Sequence, residues 1–391
     1  MEMAGGLDEV EVAVVGAGPA GSVAAETAAR LGAEVVLIER KREIGSPVQC
    51  GGFLPEIEEL EGLLPKAKIP EALADLPEGL VLHRTRVQRI CSPSGRSKEF
   101  PVLGRVIDRR SFDRHLAWRA ARAGARVLVG VRAELRGGRL HLSGRASGTV
   151  KAKVVIGADG PGSATARGAG LASRGEVGVC LEYEMAGVDI DPAAAEMYFG
   201  TASAPGGYAW IIPLGEDVAN VGVGTRPPYL RGRGLHEVLD SFISEHPVAK
   251  EKLREGSVTA VMRGLVPAGG MPPAIQRGNV LLAGDAAGMV MATSGGGIPL
   301  AMVGGRAAGE VAARYIGGKA ALQEYPEWIA EEMGRELANS VRIREVVDGM
   351  MKSDRLMDAL FGILPPDQMK AIMRGQIPKA LERVGDLMAS R

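Results

Sequence analysis

The chain has 391 residues, enough for two or three domains around a large core, with 47 basic and 47 acidic side chains. That balance argues against nucleic acid as a partner, and three scattered cysteines, Cys50, Cys91 and Cys180, exclude a disulfide framework or a zinc site, so no metal is expected. No apolar run reaches 18 residues and the N-terminus has acids where a leader needs a basic region, which predicts a cytoplasmic protein, at most peripheral at a membrane.

The first element is a buried strand over 10–15, followed by Gly16-Ala17-Gly18-Pro19-Ala20-Gly21, a helix and a second strand over 33–38 closed by Glu39 and Arg40. This is the order of a dinucleotide-binding βαβ unit. Gly16 permits the tight turn, Gly18 lets the backbone approach a pyrophosphate, and Gly21 lets the helix pack close to the strand. Glu39 stands where a carboxylate accepts hydrogen bonds from a ribose diol. From 55 to 100 four prolines break up charged stretches and only short strand-like runs appear, so this segment is expected to be irregular and to belong to a second, smaller domain. A helix is predicted over 107–123, a strand over 125–131, and hairpin-like strands over 139–143 and 148–155.

A second strand-glycine-aspartate motif ends in Asp159 and Gly160. Residues 178–263 alternate like an antiparallel sheet, with a helix over Leu235–Glu245 between strands. A buried strand returns at 280, leads into Gly284 and Asp285, and the loop Thr293-Ser294-Gly295-Gly296-Gly297 opens a long Ala-rich helix, Ile298–Ile316. The remaining residues read as helices, made adaptable for packing by Met350, Met351, Met357, Met369, Met373 and Met388.

Taken in order, the three glycine motifs resemble the nucleotide-contacting motifs of FAD enzymes with the para-hydroxybenzoate hydroxylase fold. The resemblance implies an α/β protein: a Rossmann-like FAD-binding domain in two parts (1–170 and 266–320), an inserted antiparallel-sheet substrate domain (171–265, joined by 55–105) and a C-terminal helical region (321–391). It also implies that Asp159 and Gly160 close on the pyrophosphate region and that Gly284 and Asp285 meet the ribityl or pyrophosphate part of FAD. Gly296, Gly297 and Ile298 would meet the pyrimidine edge of the ring, and Arg109, with Arg110 as its neighbour and rival, would contact the cofactor.

Two further stretches narrow the family. Tyr208-x-Trp210-x-x-Pro213 within 205–213, and Val48-Gln49-Cys50-Gly51-Gly52, resemble the geranylgeranyl reductases, departing at Ile212 where Phe is common. That resemblance implies a reductase saturating the geranylgeranyl double bonds of prenyl lipids, archaeal digeranylgeranylglycerol phospholipids above all. It places Cys50 and Gly51 beside the flavin, with Cys50 donating a proton or tuning the ring and Tyr208 as the competing donor. Alternating on one strand, Tyr208 and Trp210 face the same side and are expected to wall the prenyl site. An isolated alkene has no carbonyl to polarise, so its reduction needs hydride on one carbon and a proton on the other. With one dinucleotide fingerprint in the chain, electrons are expected from outside: ferredoxin, another reduced flavin, a deazaflavin or NAD(P)H. The alternatives are a flavin monooxygenase acting on an aromatic or quinone substrate and a non-catalytic carrier of FAD or prenyl lipid.

Overall fold

The computed structural model describes residues 2–3, 8–171 and 175–377. Its larger sheet is mostly parallel: Val280–Leu282, Ala146–Gly157, Glu9–Val15, Val35–Glu39 and Arg126–Val129 lie side by side in that order, with Gln276–Arg277 antiparallel at one edge. Strand Val35–Glu39 is buried throughout, as expected of a parallel sheet covered on both faces. Helix Pro19–Arg30 and helix Ile298–Ile316 cross on small residues. A Cβ on Gly305 would overlap the Ala20 carbonyl, and one on Gly309 the Ala24 carbonyl. Gly284 fits between Ala20 and Ala301, where a Cβ would meet Ala20 Cβ at 2.8 Å. Asp285 is thereby held beside both helices.

The second sheet runs Ser257–Pro267, Val177–Ala186, Val218–Thr225, Tyr208–Pro213, Ala194–Tyr198, Val81–Cys91, Ser97–Ile107, Phe53–Pro55. Every neighbouring pair is antiparallel except Ala194–Tyr198 with Val81–Cys91. One face buries Leu181, Tyr183, Val221 and Val223 under Val238, Leu239 and Phe242 of helix Leu235–Glu245. The other face is left for a cavity.

Three expectations change. The segment expected to be irregular holds an 11-residue strand, Val81–Cys91, and the start of another, Ser97–Ile107; their half-exposed, charged pattern hides the alternation that marks a buried strand. The helix predicted from 107 starts at Arg109, because Ile107 still pairs in the sheet and Asp108 caps the helix by accepting from the Arg110 amide at 3.0 Å. The strand predicted over 125–131 breaks at Gly130, whose φ of +74° ends Arg126–Val129 before Val131–Arg136 begins.

The C-terminal region is helical, as expected, through Arg335–Met350, Asp354–Ile363 and Pro366–Met373. Met357 and Met369 pack with Ile90, Phe100, Phe361 and Leu364, and Met350, Met351 and Met373 lie against them. Met388 and the rest of 378–391 lie outside the described residues. Lys370 reaches Glu59 at 3.2 Å and Arg374 pairs with the same carboxylate. Burial pushes the Glu59 carboxyl up, but the hydrogen bonds and charges of those two cations outweigh it and hold it below its ordinary value. Among the described residues no helix is long and apolar enough to cross a membrane.

Candidate active site

The strand-to-helix turn at Gly16 forms because its φ of +100° suits glycine and because a Cβ there would overlap the Ala158 carbonyl. Gly21 is packed on the Gly16 carbonyl in the same way. Gly18 differs: nothing lies within 4 Å of where its Cβ would be, and Gly160, across the turn, is equally open. Pro19 occupies the first turn of helix Pro19–Arg30, whose free amides carry the positive end of the helix dipole. These open glycines and free amides fit a pyrophosphate, which needs close backbone and positive potential.

Glu39 is buried at the end of its strand, with Oε2 accepting from the Ala17 amide at 2.9 Å and Oε1 from the Lys41 amide at 2.8 Å. Each oxygen keeps a second lone pair for a diol. Arg40, next in sequence, points to solvent. The Asp159 carboxylate departs from its expected use: it accepts from Ser163 Oγ, the Thr165 amide at 3.0 Å and Thr165 Oγ1 at 3.1 Å. That side chain fixes its own turn while Oδ1 keeps a second lone pair, and Gly160 presents the open backbone.

At the other end, Gly297 is the N-cap of the 19-residue helix Ile298–Ile316, and Gly296 and Ile298 line a cavity of about 430 Å³. Asp285 lies against this cap, its Oδ1 3.5 Å from where a Gly297 Cβ would be. Burial pushes its carboxyl up to about 6, with the charge of Arg109 opposing. Of the two arginines, Arg109 is the interior one: it pairs with Asp113 at 3.1 Å and lies against the Cys50 thiol, while Arg110 is exposed and pairs with Glu43. Cys50 Sγ accepts from the Gly52 amide at 3.4 Å. Gly51 is pressed against Asn220 and Ile212, each 3.0 Å from where its Cβ would be.

The cavity wall is one face of the second sheet. Cys180 pairs with Gly224 and Gly224 with Tyr208; Glu182 pairs with Gly222 and Gly222 with Trp210. The two central glycines leave a bare strip on which the Trp210 indole lies, its centroid 5.8 Å from that of Tyr208. Indole Nε1 donates to Asn220 Oδ1 at 2.7 Å, and Asn220 Nδ2 donates to Glu182 Oε2 at 3.1 Å. Tyr208 donates its hydroxyl proton to the Ser294 carbonyl of the glycine loop. Ile90, Phe100, Met357 and Phe361 continue the lining toward the C-terminal helices.

Relatives match most of this chain in sequence. A digeranylgeranylglycerophospholipid reductase of Methanocaldococcus jannaschii is 38% identical over 370 residues, 90% of each chain, and one of Methanocella arvoryzae 36% identical over 359 residues, 87% of each. The chain belongs to the geranylgeranyl reductase family. The family's catalytic domain matches residues 176–266, which include the strands bearing Cys180, Glu182, Tyr208 and Trp210, and an FAD-dependent oxidoreductase family matches residues 11–52. A crystal structure of a geranylgeranyl bacteriochlorophyll reductase-like protein of Thermoplasma acidophilum superposes with a TM-score of 0.81 at 30% identity, covering 98% of this chain and all of the other. A flavin-dependent brominase, 16% identical with a TM-score of 0.74, shares the fold. This geranylgeranyl reductase family member is thus an FAD-dependent oxidoreductase with a Rossmann-like domain, an inserted antiparallel sheet and C-terminal helices.

Asn220, Glu182 and Cys180 are cavity-side groups that motif reading passes over. Their signal is present in the sequence: on strand Val218–Thr225 one period-2 face is Ala219, Val221, Val223 and the other is Asn220, Gly222, Gly224. A face made of glycine and amide opposite two aromatics marks a site instead of a core.

Proposed function

We propose that this reductase saturates double bonds of the geranylgeranyl chains of a glycerophospholipid, the substrate class in the names of its archaeal relatives. The observation that carries the reading is an apolar cavity lined at once by the Gly295–Gly297 loop, by Tyr208 and Trp210, and by the C-terminal helices. A polyprenyl chain offers only apolar surface, and burying it contributes about 0.8 kcal/mol per methylene. The same walls keep water from the alkene.

Reduced FAD, when bound, supplies a hydride. In this reading Gly16, Ala17, Gly18, Pro19, Ala20, Gly21, Glu39 and Gly160 hold its ribose and pyrophosphate, with Asp159 bracing the turn that presents Gly160. Gly284 and Asp285 meet the ribityl chain. Gly296, Gly297 and Ile298 would offer the first amides of their helix to the negative edge of the ring, and Arg109 would add positive charge on the cofactor side of the site. Tyr208 shares its proton with Ser294, and burial raises its pKa above the ordinary value. It is therefore assigned to holding the glycine loop and walling the site. Cys50 and Gly51 stand beside the ring, with Arg109 against the thiol. Electrons come from a separate donor, whether ferredoxin, a reduced flavin, a deazaflavin or NAD(P)H, and the lipid is taken at a membrane surface on which Ile363 and Leu356, both exposed, are placed to rest. The units drawn in the sequence, 1–170 with 266–320 and 171–265 with 55–105, are proposed as the cofactor and substrate halves.

The deciding experiment is anaerobic mixing of chemically reduced protein with a digeranylgeranylglycerol phospholipid. Reoxidation of the flavin together with saturated product is expected. Reduced flavin that persists with the lipid but discharges on a phenol plus O2 would overturn the reading in favour of a monooxygenase.

A further inference from the structure

Glu182 is the one carboxyl on the cavity face of strand Val177–Ala186 whose side chain is buried among the site's groups, at 2% exposure. It sits at the closed end of a chain of donors: Trp210 donates to Asn220, and Asn220 donates to Glu182 Oε2. Among the described residues Oε1 has no hydrogen-bond partner, and the residue lines the same cavity as Trp210. An ionised carboxylate with one neutral donor and no cation in contact is costly in such a place. The protonated acid needs only what is there, an amide donor on its carbonyl oxygen, leaving its O–H directed at the cavity. Burial accordingly pushes the group up to about 7, opposed by the Asn220 hydrogen bond and the charge of Arg109.

The other titratable groups near it are poorer acids for this task. Cys180, two residues away on the same face, is pushed up to about 12 by burial and then by the charges of Glu182 and Cys50. Tyr208, two strands away, is raised by burial and engaged by Ser294. Cys50 acts on Cys180 and not on Glu182, whereas the positive charge of Arg109 reaches Glu182 and favours the carboxylate that remains after a proton leaves.

We infer that Glu182 is the acid that protonates the alkene, an assignment resting on the reading of the cavity as the prenyl site. The balance is closed. The π pair of the C=C bond takes the proton from the Glu182 O–H, and the other carbon takes hydride from the reduced flavin, which is oxidised by two electrons as the alkene is reduced. Glu182 is left as a carboxylate held by Asn220, and water restores its proton once product leaves. Trp210, tied to the acid through one amide, sets the position of the chain relative to the proton.

The test uses the FAD-loaded protein. Glu182→Gln keeps the shape and the Asn220 contact while removing the proton; flavin content should be unchanged and single-turnover reoxidation by the geranylgeranyl lipid should slow by about 100-fold or more, with Glu182→Asp recovering part of the rate. Independently of turnover, infrared difference spectra of oxidised protein between pH 5 and 9 should show a protonated-carboxyl band lost in Glu182→Gln and titrating near neutrality. In Asn220→Ala the midpoint should rise, because a hydrogen bond that favours the carboxylate is gone. A Glu182→Gln rate within about twofold of the parent, or a band absent or titrating near pH 4, overturns the assignment. If the parent itself is not reoxidised by any geranylgeranyl lipid, it is the reading of the cavity that falls, and the infrared titration still decides the state of Glu182.

Discussion

The indole of Trp210 lies on the bare Cα of Gly222: a methyl group placed there would overlap Cζ2 of the ring. Gly222→Ala should therefore lift the indole off the sheet and break its bond to Asn220 while leaving the cofactor side intact. Overpacking of this kind costs about 1–3 kcal/mol. Urea unfolding should report that loss, and lipid-dependent flavin reoxidation should fall much further than flavin content. Equal loss of flavin and turnover would mean that the ring only fills a core.

Asp285 offers a second test. It is held beside the first turns of two helices with its carboxyl raised to about 6 by burial, so its ionised form is stabilised when a ribityl hydroxyl donates to it. Asp285→Ala should deplete flavin on purification, and Asp285→Asn, which keeps the size, should retain more of it. The ratio of flavin to protein absorbance measures both. Full occupancy in folded Asp285→Ala would remove this residue from the cofactor site.

Stability should also carry the signature of Glu182. Its ordinary value is 4.5 and its folded value about 7, so between those values the folded protein keeps a proton that the unfolded chain has released. Stability is then lost as pH rises through that window. Relative to Glu182→Gln, the parent should weaken on going from pH 4 to pH 8 by roughly 3 kcal/mol, since each tenfold difference in proton affinity between the folded and unfolded chain is worth about 1.4 kcal/mol. Denaturant midpoints of the two proteins across that range give the difference, and parallel curves would contradict it.

At the surface, Ile363 is 76% exposed and Leu356 49%, both on helix Asp354–Ile363 above the cavity lining. Replacing both by Asp should reduce flotation with vesicles of anionic phospholipid while leaving flavin content and the melting temperature nearly unchanged. Flotation equal to that of the parent would place the membrane contact elsewhere.

The cofactor side is legible in the sequence because its requirements are local. Gly16, Gly18 and Gly21 belong to one turn, and the Ala-rich pattern after Gly297 marks helix Ile298–Ile316 to its observed ends. Tyr208 and Trp210 can be placed on one face because alternation is a property of a single strand. The substrate side is less legible because it is made by pairing. Nothing local to Glu182 says that Gly222 will be its neighbour and Trp210 the next, since that row exists only once three strands are in register. The strands Val81–Cys91 and Ser97–Ile107 escape sequence reading for a related reason: the part of the sheet they build is half in water, so burial leaves a weak mark on their composition. Asp159 shows what the motif does not reveal, since its carboxylate also braces its own loop.

The parallel pairing of Val81–Cys91 with Ala194–Tyr198 bears on how the protein is made. During synthesis the early hairpin leaves the ribosome with one edge bare, and its partner strand follows only roughly a hundred residues later. A bare edge invites pairing with the wrong chain. Arg84, Arg86 and Arg89, spaced along that strand, put charge on the waiting edge, which disfavours pairing with a second nascent copy, and in the finished fold Arg89 is drawn into ion pairs with Asp191 and Glu196 of the segment that completes the sheet.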